Sequence, residues 1–226
     1  MVTATHVYIR AMAGKFITFE GGEGAGKSTQ IRRLAARLEE AGLRVIATRE
    51  PGGTPAAEAI RQFILSGRAR AMGAEGEALL FAAARADHVA RIIRPALAAG
   101  DWVLSDRFTD STRVYQGAEG GVASETLDAL ERAAIGATRP DLTVILDIPA
   151  EIGLRRVRAR QAATGDGPDR FDSDRVGLHD RRRQAFLALA GRDPNRYAVV
   201  DAVRWESDVA DDVWTAVSAR LLREAA

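Results

Sequence analysis

Gly21-Gly22-Glu23-Gly24-Ala25-Gly26-Lys27-Ser28 is the stretch whose reading decides the fold. It satisfies G-x-x-x-x-G-K-[ST] in full, and the β-branched and aromatic run Ile17-Thr18-Phe19 stands just before it. After it, Ile31, Leu34, Ala35 and Leu38 recur at the spacing of one helix face, and Gly42 stands where a left-handed cap would end that helix. A strand, a glycine loop and a helix in this order form a phosphate cradle. The glycines let successive backbone N–H groups converge on phosphate oxygens, and the helix start points its positive dipole end at the same place. Gly21 through Ser28, with Thr29, are therefore candidates for holding a nucleoside triphosphate. Lys27 would reach the β- and γ-phosphates, and the Ser28 hydroxyl would be a magnesium ligand.

Working outward, short apolar runs predict strands near Lys15–Glu20, Arg44–Thr48, Trp102–Ser105, Leu142–Leu146 and Tyr197–Asp201, each read as covered on both faces. Helical patterns lie between them. One runs from about Glu75 to Ile93 and is expected to stop before Pro95. Another spans Ser124 to Ile135, opened by the serine and carrying Asp128 and Glu131 on its outer face. Val209, Val213, Val217 and Leu221 form a stripe expected to face the core. Strands alternating with helices imply an α/β fold, a five-stranded parallel sheet between helical layers, with ligands at the strands' C-terminal ends.

Composition sets bounds on this reading. The 226 residues suit one domain. A net charge of +1 gives no push toward nucleic acid or an anionic membrane. The chain has no cysteine, which excludes disulfides and thiolate metal sites and is compatible with a reducing cytoplasm. No run approaches the ~18 apolar residues of a membrane span. Residues 1–13 are expected to be a disordered leader without function, and 14–226 a single domain.

The strand ends are loaded with chemistry. Thr48-Arg49-Glu50-Pro51-Gly52-Gly53-Thr54 follows the second strand, and a cis bond before Pro51 suits that tight turn. Ser105-Asp106-Arg107 follows the third. Asp106 could hold magnesium or its waters, and Arg107 suits a bidentate grip on a phosphate. A third cluster is cationic: Glu151 to Gln161 reads EIGLRRVRARQ, and Arg170 lies beyond a Gly/Asp/Pro patch. Alone, such a run would be a solvated helix face. Here its composition is that of a lid at about 155–172, and the phosphate loop itself holds no arginine. Arg158, Arg160 and Arg170 are then the candidates to neutralise the charge of a transferring phosphoryl group, with Lys27 and Arg107.

GGEGAGKST, TREPGGT, LLFAAARADHV and DRFTDSTRVYQG, in this order and at these intervals, resemble the thymidylate kinase family. The similarity runs from about Lys15 to the C-terminal helix, and TREPGG with DRxxxSTxxYQG is its most specific part. The resemblance implies a P-loop NTPase fold of the nucleoside monophosphate kinase kind, with dTMP as acceptor, ATP and Mg²⁺ as cofactors, a homodimer, and a cytoplasmic enzyme. It implies that Glu23 meets the acceptor sugar's 3′-hydroxyl, and that Arg49, Arg61 and Arg107, with Pro51 in the turn, surround its 5′-phosphate. Phe81 would stack on the pyrimidine, Arg85 would donate to a base carbonyl, Thr112 and Gln116 would meet the base's polar edge, and Tyr115 would crowd the 2′ position. The arginine-rich lid resembles the bacterial form.

Other readings are a kinase for another pyrimidine nucleotide or a deoxynucleoside, and a P-loop NTPase switch. Two phosphate-side arginines favour an acceptor already phosphorylated, and no guanine-reading N-K-x-D is present. The histidines, His6, His88 and His179, show no spacing that suggests metal or base chemistry.

Overall fold

The computed structural model describes residues 13–165 and 175–222. The expected leader, apart from residue 13, and Arg170 lie outside that range. Five strands, β1 (Phe16–Glu20), β2 (Val45–Arg49), β3 (Trp102–Asp106), β4 (Leu142–Asp147) and β5 (Tyr197–Asp201), form one parallel sheet in the order β2-β3-β1-β4-β5. The phosphate loop thus leaves the central strand, flanked by the ends of β3 and β4.

Strand periodicity divides the core. Ile17 and Phe19 point to the face covered by α1 (Lys27–Glu40) and, at the C-terminus, by the helix Glu206–Leu221, where they join Leu34, Leu38, Leu104, Val144, Val213 and Val217. Phe16 points the other way, against Val89, Ile93, Val103, Phe108 and Ile135. Along that second face of β1 the side chains become polar: Thr18 shares a 2.8 Å hydrogen bond with Thr143, and Glu20 is fully buried. Gly42 does end α1: its N–H donates to Glu39 O and that of Leu43 to Leu38 O, the double bond of a Schellman turn.

Four details depart from the sequence reading. The edge strands are not covered on both faces: Ile46 of β2 and Val199 of β5 are exposed. The helix after α2 (Pro55–Leu65), α3 (Gly73–His88), does not stop before Pro95. A π turn, Val89–Ile93, carries it into α4 (Arg94–Ala98), where proline occupies a first-turn position that needs no N–H donor. A short helix, α5 (Thr109–Thr112), runs into a second π turn, Arg113–Glu119. In α6 (Ser124–Ile135) the Ser124 hydroxyl bonds Glu125 rather than capping the helix. Glu131 of α6 is buried instead of facing outward, because Arg113 reaches it at 2.7 Å and Arg139 at 3.0 Å, while Arg113 also binds Asp128 at 2.8 Å. Two further helices, α7 (Ala150–Thr164) and α8 (Val176–Arg192), precede α9 (Glu206–Leu221). No described helix is long and apolar enough to cross a membrane.

Candidate active site

The phosphate loop is held by close backbone contact. A Cβ on Gly24 would lie 2.1 Å from the carbonyl oxygen of Gly153 in α7, and one on Gly153 would lie 2.3 Å from the carbonyl of Glu23. Glycine at both positions lets the loop seat on α7. Lys27 folds back over the loop, its Nζ donating to Gly21 O at 3.2 Å and Gly22 O at 3.0 Å. Burial first, then the nearby Arg107 guanidinium, pull the ammonium below its ordinary pKa, against Glu23, Asp106 and Glu20. Ser28 Oγ donates to Asp106 Oδ2 at 2.7 Å. Two hard oxygen ligands, one from the loop and one from β3, are thus side by side, a donor set that suits Mg²⁺ completed by phosphate oxygens and water.

Arg107 enters this arrangement through an unusual backbone. It is the one non-glycine among the described residues with positive φ, 70°. Its Nη2 donates to Glu23 Oε1 at 2.6 Å, and the Tyr115 hydroxyl donates to the same oxygen at 2.9 Å. Burial alone would raise the Glu23 carboxyl, but Arg107 and Lys27, with the Tyr115 bond, hold it at about 2. Both bonds land on Oε1, so Oε2 stands as the acceptor for an incoming group.

Glu20 secures the Arg107 turn. Its Oε1 accepts from the N–H groups of Phe108 (2.8 Å) and Ser111 (3.2 Å), and its Oε2 accepts from Ser111 Oγ at 2.6 Å. Burial pushes the carboxyl up to about 7, Asp110 adds to this, and Arg107 opposes it. A carboxyl raised from 4.5 keeps its proton longer in the folded than in the unfolded state, so its stabilisation is complete below pH 4.5 and fades as pH climbs through about 7. Glu20→Gln mimics the protonated form. Wild type is therefore expected to lose, relative to this variant, on the order of 3 kcal/mol between those limits. Urea unfolding of both proteins across this range measures it, and a constant difference would contradict the assignment.

A cleft of about 540 Å³ opens over Lys27, and all ten acceptor candidates line it: Glu23, Arg49, Pro51, Arg61, Phe81, Arg85, Arg107, Thr112, Tyr115 and Gln116. They come from the loop, the ends of β2 and β3, α2, α3, α5 and the π turn that follows it. The Glu50–Pro51 bond is cis. Arg61 donates to Pro51 O at 3.0 Å, and Arg49 to Glu58 at 3.1 Å. Phe81 is half-buried one helical turn from Arg85. Arg85 is heavily engaged: Nε donates to Glu50 Oε2 at 2.6 Å, and Nη2 to Phe108 O and Thr112 Oγ1 at 3.0 and 3.1 Å. Gln116 stands 3.5 Å from Glu77, at the limit of a hydrogen bond.

A second cleft of about 550 Å³ lies on the other side of Gly24, Ala25, Gly26 and Thr29, lined also by Arg156, Arg160 and Trp205. Arg160 lines both clefts, whereas Arg158 is exposed on α7 and lines neither. Arg156 donates to Ala202 O and Val203 O at 2.9 and 3.2 Å. Sequence reasoning missed Glu20 and Glu50, and it passed over Arg156; no spacing signal marks a lone glutamate at a strand end. His88 is a core histidine, its two ring nitrogens against Thr48 and Glu50.

Comparison with known proteins converges on one group. The thymidylate kinase family model matches residues 19–213. The chain is 56% identical over 217 residues to a thymidylate kinase of Rhodopseudomonas palustris (strain TIE-1), covering 96% of this chain and 94% of that one. It is 55% identical over 208 residues to a thymidylate kinase of a Bradyrhizobium species (strain BTAi1), covering 92% and 91%. To a thymidylate kinase of Nitrobacter winogradskyi it is 56% identical over 209 residues, covering 92% and 90%. With the family model matching most of its length and relatives at about 55% identity, the chain belongs to the thymidylate kinase family.

Proposed function

We propose that the chain is a dTMP kinase, transferring the γ-phosphoryl group of ATP to dTMP and yielding ADP and dTDP. The observation that carries this reading is the convergence of the ten acceptor candidates on one cleft that opens over Lys27. Arg49, Arg61 and Arg107 supply cations for the acceptor 5′-phosphate. Phe81 stacks on the base, and Arg85, Thr112 and Gln116 read its polar edge. Tyr115 closes the 2′ side, where an added hydroxyl would find neither room nor partner. Glu23 Oε2 accepts from the 3′-hydroxyl.

An oxygen of the acceptor phosphate attacks the γ-phosphorus as the bond to the β,γ-bridging oxygen breaks, and that oxygen leaves with ADP. The attacking oxygen is already anionic, so no strong base is needed. Catalysis is positioning plus charge neutralisation by Lys27 and an arginine of the lid. Arg160, lining both clefts, is the best placed of the described lid arginines. Ser28 and Asp106 would hold Mg²⁺, which when bound offsets charge on the β- and γ-phosphates. The second cleft suits the nucleoside end of the donor. A homodimer working in the cytoplasm completes the reading, supported by family membership.

The test is a coupled assay of ADP release with ATP, Mg²⁺ and each of dTMP, dUMP, UMP and thymidine. Turnover is expected to favour dTMP strongly. Equal turnover of UMP would remove the sugar gate, and ADP release without acceptor dependence would remove the kinase reading.

A further inference from the structure

The mechanism above makes no use of Arg182, a cation only 2% exposed on α8. Its guanidinium carbon lies 4.5 Å from the centre of the Tyr115 ring. Its Nε and Nη2 both grip the carboxylate of Glu119, the latter at 3.0 Å. Glu119 ends the π turn Arg113–Glu119 that carries Tyr115. One side chain of α8 therefore clamps this turn at two points, the ring and the terminal carboxylate. Phe186, one helical turn further along α8, adds an edge-on contact to the same ring at 6.5 Å.

The chemistry suits a rigid support. A guanidinium is planar, keeps its charge when buried, and can hold a carboxylate with its fork while resting over an aromatic face. The ring is also fixed at its far end, where the hydroxyl donates to Glu23, and Arg107 lies over it at 5.2 Å. Burial pushes the Tyr115 hydroxyl above its ordinary pKa, so it stays protonated and keeps that donor role. A steric gate discriminates only if it cannot yield; a ring free to retreat by ~1 Å would admit a hydroxyl.

We propose that Arg182 is a positioning residue for acceptor selection, holding the Tyr115 ring against the sugar's 2′ carbon and so setting the preference for deoxyribose over ribose. This rests on the reading of the cleft as a dTMP site.

The experiment compares kcat/KM for dTMP and for ribothymidine monophosphate in wild type, Arg182→Met and Arg182→Lys, with urea unfolding in parallel. In Arg182→Met the deoxy/ribo ratio is expected to fall about tenfold, the size of effect expected when one steric contact is relaxed. KM for dTMP should rise more than kcat falls. Lysine, which keeps charge but not the fork, should recover part of the ratio. If the methionine variant does not fold, Arg182→Lys and Glu119→Gln carry the test, and both should lower the ratio. A drop in stability with the ratio unchanged would make Arg182 merely structural and overturn the inference alone. A wild type that turned over both acceptors alike would refute the Tyr115 gate itself, and the inference with it.

Discussion

Lys27→Ala is expected to reduce kcat by roughly a thousandfold while dTMP affinity changes by no more than a few-fold. The ammonium rests on the Gly21 and Gly22 carbonyls at 3.2 and 3.0 Å, at the mouth of the helix that would receive the phosphates. Swinging from those carbonyls onto a phosphoryl group exchanges two neutral acceptors for an anionic one, an interaction that strengthens as charge develops in the transition state. Most of the proposed acceptor contacts come from other elements, the β2 and β3 ends, α2, α3 and the π turn after α5, and Glu23 in the loop keeps its bonds from Arg107 and Tyr115, so acceptor binding is expected to survive. Folding should survive as well: the Arg107 cation disfavours a charged Lys27, and deleting the lysine relieves that repulsion even as Glu23 and Asp106 lose an attraction. Single-turnover phosphoryl transfer, dTMP titration calorimetry and unfolding of the same variant separate these quantities. Loss of dTMP binding together with turnover in a folded protein would mean that Lys27 has another role.

Much of this architecture is legible in the chain because its physics is local. The glycine loop needs no partner to be recognised, and a parallel strand buried on both faces writes itself as an apolar run. From those two facts the ligand end of the sheet follows, and the residues just beyond β2 and β3 become candidates by position alone. The acceptor cleft needed the motif resemblance as well, since nothing local distinguishes Phe81 from a core aromatic or Arg61 from a surface cation.

What stayed hidden is of another kind. Glu20, Glu50 and Arg182 are charged residues whose role depends on burial against partners between 35 and 91 residues away, and a charged letter reads the same inside or outside. Glu131 was misread for that reason; Arg113 and Arg139 draw it inward. The two π turns are invisible because one extra residue in a helical turn leaves the apolar spacing almost intact. One of them lets α3 continue through Pro95, and the other sets the direction of Tyr115 and Gln116. The edge strands lie where the apolar runs place them, but full coverage of both faces does not hold for them, because it depends on strand order, which periodicity does not encode.

The most consequential of the hidden groups is Glu50, and its removal should be costly. Glu50→Ala is expected to destabilise the fold by about 3–5 kcal/mol. The carboxylate is 3% exposed and accepts from Arg85 Nε at 2.6 Å, while its second oxygen faces His88 Nδ1 at 3.0 Å. Arg85 is 4% exposed and His88 fully buried, so neither can turn to water when the carboxylate goes. The large cost is that of stranding a guanidinium, which exceeds any net benefit the pair itself confers. Glu50→Gln keeps an oxygen for Arg85 but no charge, and should recover part of the loss. Function should follow stability in a specific way. Arg85 Nη2 bridges Phe108 O and Thr112 Oγ1, two points on the wall of the acceptor cleft, so an Arg85 without its anchor loosens that wall. KM for dTMP should therefore rise in Glu50→Gln while KM for ATP, whose proposed cleft lies on the far side of the phosphate loop, stays near wild type. Urea unfolding and steady-state kinetics decide the matter. A stability change below about 1 kcal/mol in the alanine variant would mean that Arg85 finds water or another carboxylate, and the account of Glu50 as the anchor of the base-reading arginine would then fall.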